Sequence, residues 1–511
     1  MLTSLGEVLP QAAKKFGDKI ALVFEGEKFT FTELNNLSDQ MAAGLVAIGI
    51  QPGDCITLYS SNSWEWVVSY YGVLKTGAII NPLNVMLTAR EAEYAVEDCR
   101  AKVVLASKEK GGALVGIEGR TDVTHLILFG DDTPSGALSF NQVLAENKPG
   151  YGATQVESNS ISTIGYTSGT TGHPKGAMLT HQGILLNSAM TAVMHGRSPA
   201  DRVVSALPCA HVYGNVVMNA AFLYGMTLIL HRVFDPKPVL ESIQSHRATM
   251  FEGVPTMFMF LLSYPEFSSY NLSSLTRCTV GGQTMPIAKM EQVENQFNCP
   301  LIELWGMTEV GGLGTTHTYY GPNKHGSIGI ALPHTEVRIA HLEDASRTLP
   351  TGEVGELMVR GPIVMQGYYR NEKASREALE PDGWLHSGDV AYMDEEGRVF
   401  VVDRKKDMII TAGFNIYPAE IERVIAAHPA VSMVAVGSIP DEEKGELAKA
   451  YIVLVANAHP DPKEIMDFCR EHLANYKVPR ALQFVSDLPK TSTGKVMRRA
   501  LKNLDADLPA P

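Results

Sequence analysis

The sequence lacks the features that would place it in a membrane, in an oxidising space or on nucleic acid. No apolar run is long enough to span a bilayer, and the N-terminus lacks the basic and apolar blocks of a signal peptide. Six cysteines are scattered without a Cys-x-x-Cys pair, which predicts free thiols and argues against a zinc site. The net charge of −13 argues against bulk nucleic-acid binding. We therefore expect a cytoplasmic protein with no membrane span.

What is present is an ordinary globular composition, with 45% hydrophobic and 19% charged residues among 511, enough for two or three domains. Short apolar strands alternate with helical patterns, which predicts an α/β fold with parallel sheets covered on both faces. Thr32 is expected to cap one helix, and Thr88 with Glu91 to form a capping box for another. After Leu349 the strands lie close together and predict a smaller β-rich subdomain.

The last part of the chain has a pattern of its own. Residues 408–511 predict strand, helix, strand, strand, helix, strand, an α+β unit of domain size. The charged run at residues 403–407 separates two apolar strands. We therefore predict an N-terminal domain over residues 1–403, a connecting segment over 404–407 and a C-terminal domain over 408–511.

A hydroxyl- and glycine-rich loop at residues 166–176 is the most distinctive stretch. It is predicted to join a strand at residues 161–164 to a helix at 177–193. Small residues let the backbone N–H groups approach an anion, and Lys175 adds a positive charge near the predicted helix N-terminus. It is not a Walker A loop, because no Gly-Lys-Ser/Thr closes it. Its composition alone is equally compatible with phosphate binding and with a flexible surface turn.

The motif Thr-Ser-Gly-Thr-Thr-Gly-x-Pro-Lys-Gly in this loop resembles the signature of the acyl-adenylate-forming superfamily. That superfamily includes acyl-CoA synthetases, adenylation domains of peptide synthetases and firefly luciferase. The resemblance implies two doubly wound sheets and a β-rich subdomain in the large N-terminal domain, and a small, mobile C-terminal domain. It also implies that the loop binds ATP phosphates through Thr167, Ser168, Gly169, Thr170, Thr171, Gly172 and Lys175.

The segment Trp305-Gly306-Met307-Thr308-Glu309 follows a predicted strand, and ligands of open α/β sheets bind outside strand ends. A carboxylate there suits Mg²⁺ on ATP phosphates, although one such Glu is by itself more often a surface charge. The segment resembles the family's aromatic-Gly-Met-Thr-Glu motif. This implies phosphate contact by Thr308, Mg²⁺ binding by Glu309, and adenine contact by Trp305 and Gly306. Most members we compared have Tyr where this chain has Trp305.

Three further segments contain nucleotide-binding positions by the same resemblance. Gly282 and Gln283 end a predicted strand, where the family places adenine and one wall of the acyl pocket. Asp389, in a segment that resembles the family's Thr-Gly-Asp element, is implied to bind ribose, since a carboxylate accepts two hydroxyl donors. Arg404 matches an arginine that helps hold ribose or phosphate, and Lys406 falls at the hinge position. Each, taken alone, is an ordinary turn residue.

Three positions are implied to serve the reacting groups. Residues 489–495 resemble the family pattern Pro-x-Thr-x-x-Gly-Lys, whose lysine, here Lys495, bridges the substrate carboxylate and the α-phosphate and reduces their repulsion. The basic side chains that follow, Arg498 among them, are interpreted as a solvated helix face, with contacts to CoA phosphate as the alternative. Gly413 matches a glycine on the path of pantetheine. His211 matches a position at the mouth of the acyl and pantetheine tunnels; its alternative is a satisfied buried histidine.

Taken together, the motifs imply an AMP-forming acyl-CoA synthetase, an acid–thiol ligase that uses ATP, Mg²⁺ and CoA. The implied reaction converts a carboxylic acid into an acyl-adenylate with release of pyrophosphate, and then transfers the acyl group to CoA. Alternatives are an adenylation enzyme that loads an acyl carrier protein, a luciferase-like oxygenase and a non-catalytic nucleotide-binding regulator. The resemblance leaves a homodimer open.

The predicted acyl pocket is mostly apolar and contains no Arg or Lys. A dicarboxylate would need a cation there, so the pocket favours a short-to-medium aliphatic, thioether or aromatic acid. Glycines after Glu309 are expected to leave space, and Trp305 to reduce it. The predicted lining residues are Val212, Tyr213, Asn215, Val216, Met218, Gly282, Trp305, Gly306, Gly311, Gly312 and Leu313.

Overall fold

The computed structural model describes residues 2–131, 133–167, 174–412, 414–441, 443–456, 458–489 and 496–505. The strands are β1 Ile20–Phe24, β2 Glu27–Thr30, β3 Cys55–Tyr59, β4 Ile79–Pro82, β5 Ala101–Ala106, β6 His125–Leu128, β7 Ala137–Ser139, β8 Ile161–Thr167, β9 Lys175–Thr180, β10 Arg202–Ser205, β11 Thr227–Leu230, β12 Met250–Gly253, β13 Arg277–Gly281, β14 Leu301–Met307, β15 Gly312–Thr316, β16 Ile330–Ala331, β17 Glu336–Ala340, β18 Gly355–Arg360, β19 Leu385–Met393, β20 Val399–Arg404, β21 Ile409–Thr411, β22 Phe414–Ile416, β23 Val431–Asp441, β24 Gly445–Leu454 and β25 Ala481–Phe484. The helices are α1 Val8–Phe16, α2 Phe31–Ala47, α3 Trp64–Lys75, α4 Ala89–Asp98, α5 Lys108–Gly111, α6 Phe140–Glu146, α7 His181–Met194, α8 Val212–Leu223, α9 Pro236–Ser245, α10 Pro255–Leu262, α11 Ile287–Phe297, α12 Glu372–Ala378, α13 Pro418–Ala426 and α14 Pro462–His472.

Contacts divide the chain into two units, of which the first comprises residues 1–284, 289–337 and 359–385. It contains a seven-stranded sheet in the order β7-β6-β5-β3-β4-β8-β9 and a nine-stranded sheet in the order β16-β15-β14-β13-β12-β10-β11-β1-β2. The inner strands of both sheets are parallel, and antiparallel pairs such as β8 with β9 and β14 with β15 lie toward the edges. The predicted α/β class with two doubly wound sheets is confirmed.

The central strands are buried along their whole length, as parallel sheets covered by helices require. All residues of β3, β11, β12 and β13 are buried. β3 reads Cys-Ile-Thr-Leu-Tyr, in which β-branched and aromatic side chains suit a pleated, covered surface. This core holds the ends of the strands at fixed positions, and the predicted ATP-binding segments follow those ends.

Two helix starts test the predicted caps. The capping box of Thr88 and Glu91 is confirmed, because each side chain bonds the backbone N–H of the other residue. The predicted cap at Thr32 is wrong, and α2 is capped two residues earlier by Thr30. Its hydroxyl accepts from the Glu33 N–H, while the Glu33 carboxylate accepts from the Thr30 N–H at 2.7 Å. A capping box needs a Glu or Gln three residues after the cap to return the bond, and Glu33 is placed for Thr30.

The second unit comprises residues 285–288, 338–358 and 386–511. A four-stranded sheet in the order β17-β18-β19-β20 agrees with the predicted β-rich subdomain. A five-stranded sheet follows, in which β22-β21-β24-β23 are neighbours and β25 pairs with β24. Its core contains Ile421 and Ile425 of α13 and Ile465 of α14. The α+β pattern is as predicted, except that β22, which pairs with β21, was not expected.

The structure also bears on the cysteines and on membrane-spanning helices. All six cysteines are buried and free. In the described part of the chain, no helix combines the length and apolar character needed to cross a membrane.

Candidate active site

The two ends of the predicted phosphate loop are held together by strand pairing. Thr167, the last residue of β8, pairs in antiparallel register with Lys175, the first residue of β9. The prediction of a helix from residue 177 is therefore wrong. α7 begins only at His181, where the Thr180 hydroxyl accepts from the Gly183 N–H. Lys175 thus lies on a strand and not at a helix N-terminus, because β9 completes the edge of the sheet before the helix starts.

Glu309 is nearly buried, and a tyrosine that the sequence analysis did not identify holds its carboxylate. The Tyr368 hydroxyl donates to Glu309 Oε1 at 2.8 Å. Burial, together with the neighbouring carboxylate, raises the pKa of Tyr368, so the phenol remains a proton donor. The Lys175 ammonium lies 5.3 Å from the centroid of the same ring, within cation–π distance. Tyr368 therefore links two predicted ATP-binding residues.

The donor set around Glu309 fits Mg²⁺ delivered with ATP. Mg²⁺ is bound through one or two carboxylates and substrate phosphates, and it seldom uses an all-protein cage. The described residues contain no group of three or more His, Cys, Asp and Glu side chains that would form such a cage. The buried carboxylate of Glu309, next to Thr308, is compatible with Mg²⁺ that is held mainly by ATP.

Thr308 lies directly against β8, about 140 residues earlier in the sequence. A side chain built on Gly165 would come within 2.8 Å of the Thr308 methyl carbon. Only glycine therefore allows this approach of the two segments. The structure brings the loop strand, Thr308 and Glu309 together, as the motif order implied.

A cleft opens beside Gly165 and Thr308 in the first unit. His211 lies in it, and its Nδ1 accepts from the Tyr213 N–H at 3.3 Å at the start of α8. Among the described lining residues there is no Asp, Glu, Lys or Arg. The lining residues are Pro82, Asn84, Thr163, Gly165, Tyr166, Leu179, Ile184, Pro208, Ala210, His211, Val212, Asn215, Thr308 and Gly311.

Only part of the predicted acyl lining reaches this cleft. Val212, Asn215 and Gly311 line it. Tyr213 is buried, with its hydroxyl 2.7 Å from the Thr279 hydroxyl, outside the lining. The expectation that glycines after Glu309 leave space holds for Gly311, where the nearest atoms to an added Cβ lie 3.6 Å or more away.

Two other glycines that were expected to leave space do not. A Cβ at Gly312 would lie 2.4 Å from Val216, and one at Gly314 would lie 2.4 Å from the Trp305 indole. The space beside each glycine is already filled, because Val216 and Trp305 pack directly against the glycine backbone. Gly306 faces the Gly312 carbonyl oxygen, 1.9 Å from where its Cβ would be, so no side chain fits there.

The predicted adenine wall lies at the ends of two adjacent strands. Gly281 at the end of β13 pairs with Leu304 in parallel β14, so Gly282, just past β13, lies beside Trp305. Trp305 does not follow the strand as predicted, because β14 continues to Met307 by pairing with β15. Gly282 has a φ of 86°, a conformation that favours glycine. Gln283 follows it and is half-buried. The nearly buried indole of Trp305 packs over Gly314.

In the second unit, the predicted ribose site is built on two paired strands. Asp389 of β19 pairs with Arg404 of β20, and Arg404 Nε lies 2.7 Å from Asp389 Oδ1. The Asp389 N–H donates to the Ser387 hydroxyl, which itself donates to the Leu357 carbonyl. The structure therefore brings Asp389 and Arg404 together, and Ser387 contributes to the framework of the turn.

The predicted hinge position, Lys406, lies in a short 3-10 helix, Lys405–Asp407. Its neighbour Lys405 was not identified from the sequence. Lys405 Nζ lies 2.8 Å from Glu356, and His386 Nδ1 lies 3.3 Å from the same carboxylate. Burial opposes the charged form of Glu356, yet the hydrogen bonds from His386 and Lys405 lower its pKa. A buried carboxylate thus binds one residue of the predicted connecting segment at 404–407.

The interpretation of Arg498 as part of a solvated helix face is wrong. Its guanidinium lies 2.7 Å from Asp403, 3.1 Å from Asp407 and 2.6 Å from Glu422. These carboxylates lie on both sides of the hinge turn and on α13. The charge run at residues 403–407 is therefore partly neutralised by an arginine that follows it by more than 90 residues, a contact that no local pattern indicates.

Several predicted site residues lie outside the described residues: Ser168, Gly169, Thr170, Thr171, Gly172, Gly413 and Lys495. On either side of Lys495 in the sequence, the Met497 N–H donates to the Pro489 carbonyl at 2.7 Å.

Comparisons with known proteins agree with these motifs. Residues 9–369 match the family of AMP-binding enzymes, and residues 420–495 match the AMP-binding enzyme C-terminal domain. The chain is 36% identical over 532 residues to a long-chain-fatty-acid–CoA ligase of Bacillus subtilis (strain 168), covering 98% of this chain and 94% of the relative. It is 32% identical to a 3-[(3aS,4S,7aS)-7a-methyl-1,5-dioxo-octahydro-1H-inden-4-yl]propanoyl:CoA ligase of Mycobacterium tuberculosis (strain ATCC 25618 / H37Rv), covering 98% and 99%.

Solved structures give the same result. The anthranilate CoA ligase AuaEII in complex with anthranoyl-AMP superposes with a TM-score of 0.92 and 29% identity, covering 99% of this chain and 98% of that one. The matches extend through both family domains and nearly the whole length of each relative. The chain therefore belongs to the AMP-binding enzyme family, the acyl-adenylate-forming superfamily that its loop motif resembles.

Proposed function

We propose that this AMP-forming acid–CoA ligase activates a short-to-medium aliphatic, thioether or aromatic carboxylic acid and transfers it to CoA. The observation that carries the proposal is the cleft beside Thr308. Its described lining consists of apolar side chains and neutral polar groups, with no lysine, arginine or carboxylate among them. A second carboxylate on the substrate would lose its hydration there without gaining a cation. The six free, buried cysteines support a reducing, cytoplasmic setting.

In the proposed first half-reaction, a carboxylate oxygen of the acid attacks the α-phosphorus of ATP. A P–O bond forms, the bond to the β-phosphate bridge breaks, and pyrophosphate leaves. Glu309 would hold Mg²⁺, which supplies charge neutralisation on the phosphates when bound. Thr308 and Lys175 would contact phosphate, and Lys495 would lie between the two anionic reactants. Charge compensation and positioning therefore replace a covalent enzyme intermediate.

Nucleotide recognition would be divided between strand ends. Gly282, Gln283, Trp305 and Gly306 would surround adenine, and Asp389 would accept the ribose hydroxyl protons while Arg404 holds its carboxylate in place. In the second half-reaction the CoA sulfur would attack the acyl carbon, forming a thioester as the bond to AMP breaks. His211 would line the approach of the pantetheine arm, with Gly413 on its path and Lys406 at the hinge.

The filled glycine positions support an acid of modest length. Val216 occupies the space at Gly312, and the Trp305 indole occupies that at Gly314, so neither position lengthens the pocket. The Bacillus subtilis relative is named for long-chain acids and the AuaEII structure for anthranilate. Substrate size therefore differs within the compared enzymes, and the packing around the site is the better guide.

The test is a panel of acids assayed by pyrophosphate release with ATP and Mg²⁺, followed by thioester formation with CoA or an acyl carrier protein. We expect medium-length aliphatic and aromatic monocarboxylates to be activated and CoA to be the acceptor. Activity with dicarboxylates alone, or transfer to the carrier protein alone, would contradict the proposal.

A further inference from the structure

We propose that Tyr368 is a positioning residue for the metal–nucleotide complex. Its hydroxyl holds the Glu309 carboxylate in the orientation that presents an oxygen to Mg²⁺, and its ring holds the Lys175 ammonium beside the phosphate loop. The inference rests on the proposed function, since it takes Glu309 as the metal ligand. It assigns a role to a residue outside every ATP-binding motif identified in the sequence.

The first support is the contact between Tyr368 and Glu309. The hydroxyl donates to Oε1 at 2.8 Å, and both side chains are largely shielded from water. Among the residues that the structure describes, no other group donates to this carboxylate. The tyrosine therefore fixes one carboxylate oxygen and leaves the other for a ligand, as partners of metal-binding groups do elsewhere.

The second support is that the backbone around Tyr368 is tied to the same two segments. The Met365 N–H donates to the Glu309 carbonyl at 2.8 Å, so the segment contacts Glu309 through its backbone as well as through a side chain. On the other side, the Tyr369 N–H donates to the Gly176 carbonyl at 2.7 Å, next to Lys175. Ala177 and Tyr368 also form an antiparallel bridge. Backbone hydrogen bonds therefore fix the segment around Tyr368 to β9 on one side and to Glu309 on the other.

The third support is the chemistry of a neutral donor. A lysine or arginine in this place would neutralise the carboxylate and compete with the incoming cation. A phenol orients the carboxylate and leaves its negative charge available. The ring face meanwhile attracts the Lys175 ammonium, 5.3 Å from its centroid, without removing its positive charge. The Tyr368 side chain thus contacts both the Glu309 carboxylate and the Lys175 ammonium without neutralising the charge of either.

The test measures metal binding directly, without turnover. Mn²⁺, used as an Mg²⁺ substitute, is titrated by electron paramagnetic resonance in the presence of α,β-methylene-ATP, an analogue that cannot release pyrophosphate. For Tyr368→Phe we expect Mn²⁺ to bind the protein–nucleotide complex about tenfold more weakly, the lower end of the effect of removing such a partner. Affinity for the metal-free analogue should stay at the wild-type value, because the ring is retained.

Two further variants separate this role from a structural one. Tyr369→Phe removes the neighbouring hydroxyl, which makes no contact with Glu309 within the described residues, and should leave Mn²⁺ binding unchanged. Tyr368→Leu removes hydroxyl and ring together. It should weaken Mn²⁺ binding as Tyr368→Phe does and also weaken binding of the metal-free analogue, by roughly two- to fivefold for a lost cation–π contact.

The wild-type and variant results report on different claims. If wild-type protein makes acyl-adenylate and binds Mn²⁺ with the analogue, but Tyr368→Phe binds Mn²⁺ as tightly, the inference is overturned while the proposed function stands. Equal weakening in Tyr369→Phe would also overturn it. If the wild-type complex binds no Mn²⁺, the assignment of Glu309 fails first and the inference fails with it.

Discussion

Two buried carboxylates, Glu309 in the first unit and Asp389 in the second, show how a partner can decide what a carboxylate does. Their exposed fractions are 7% and 3%, so burial does not distinguish them. Glu309 is held by the neutral hydroxyl of Tyr368, whereas Asp389 is held by the cationic guanidinium of Arg404. Among the described residues, the partner of Glu309 is thus neutral and the partner of Asp389 is charged.

This difference fits the two proposed ligands. A divalent cation needs a negative charge, and a neutral partner leaves that charge in place. A ribose needs hydrogen-bond acceptors, and a compensated carboxylate still accepts hydroxyl protons while its burial is stabilised. The same functional group can therefore serve two chemistries through the charge of its nearest neighbour. Each of the following predictions tests one side of this comparison.

The largest effect is expected for Glu309→Gln, which keeps the shape of the side chain and removes its charge. Acid-dependent pyrophosphate release should fall about 10²- to 10³-fold, as for loss of a group that stabilises charge in the transition state. Transfer of the acyl group from supplied acyl-adenylate to CoA should stay close to wild type. An exposed control on α11, Glu291→Gln, should change neither rate. Equal loss in both half-reactions would argue against a metal role.

A smaller effect is expected for Asp389→Asn, because the amide still offers one acceptor oxygen. The KM for ATP should rise about tenfold, the low end for hydrogen bonds to a charged group. The decisive measurement compares ATP with 2′-deoxy-ATP. Wild-type enzyme should prefer ATP, and the variant should discriminate less. Undiminished discrimination would show that Asp389 does not bind ribose.

Next in size is Gly165→Ala, which tests how tightly the Glu309 side of the site is built. Its new methyl group would meet the Thr308 methyl at 2.8 Å and push the hydroxyl away from phosphate. If overpacking weakens ATP binding by about 1 kcal/mol, the KM for ATP should rise roughly fivefold. Gly152→Ala, with nothing within 4 Å, is the matched control and should be neutral. An unchanged KM would mean that Thr308 does not contact the nucleotide.

The smallest effect is expected for Arg404→Lys. The Arg404 side chain in the pair with Asp389 is 44% exposed. Exposed ion pairs contribute about 0.5 kcal/mol, so weakening this pair should change the KM for ATP roughly twofold. Increasing ionic strength should reduce the difference between variant and wild type. A loss as large as that of Asp389→Asn would show that Arg404 itself binds the nucleotide.

The fold was largely predictable because its signals are local. The helix Trp64–Lys75 and the strand Thr227–Leu230 are short, mostly apolar runs that are buried along nearly their whole length, and the capping box at Thr88 needs only residues three positions apart. The start of α7 was misplaced because residues 177–180 are apolar enough for either structure. Their pairing with β8 decides for a strand, and pairing is not a local property.

The site was predictable only as far as its motifs extend. The motifs identified Thr308, Asp389 and Arg404, but the contacts of Thr308 with Gly165 and of Asp389 with Arg404 appear only in the structure. Tyr368 was missed because its contact with Glu309 joins positions 59 residues apart through a tertiary bond. Arg498 was misjudged for the same reason, since its carboxylate partners lie 76 to 95 residues away.

The hairpin register at the phosphate loop has a consequence for how any anion would be retained. Since α7 starts at His181, its N-terminus lies beyond the far end of β9 and does not adjoin Thr167 or Lys175, the described ends of the loop. In the proposed function, attraction of the ATP phosphates at these ends would rest on the Lys175 ammonium and on hydroxyl donors, not on the dipole of α7. The contribution of a single surface charge changes with one substitution or with added salt, so the affinity of such a site can be adjusted in small steps.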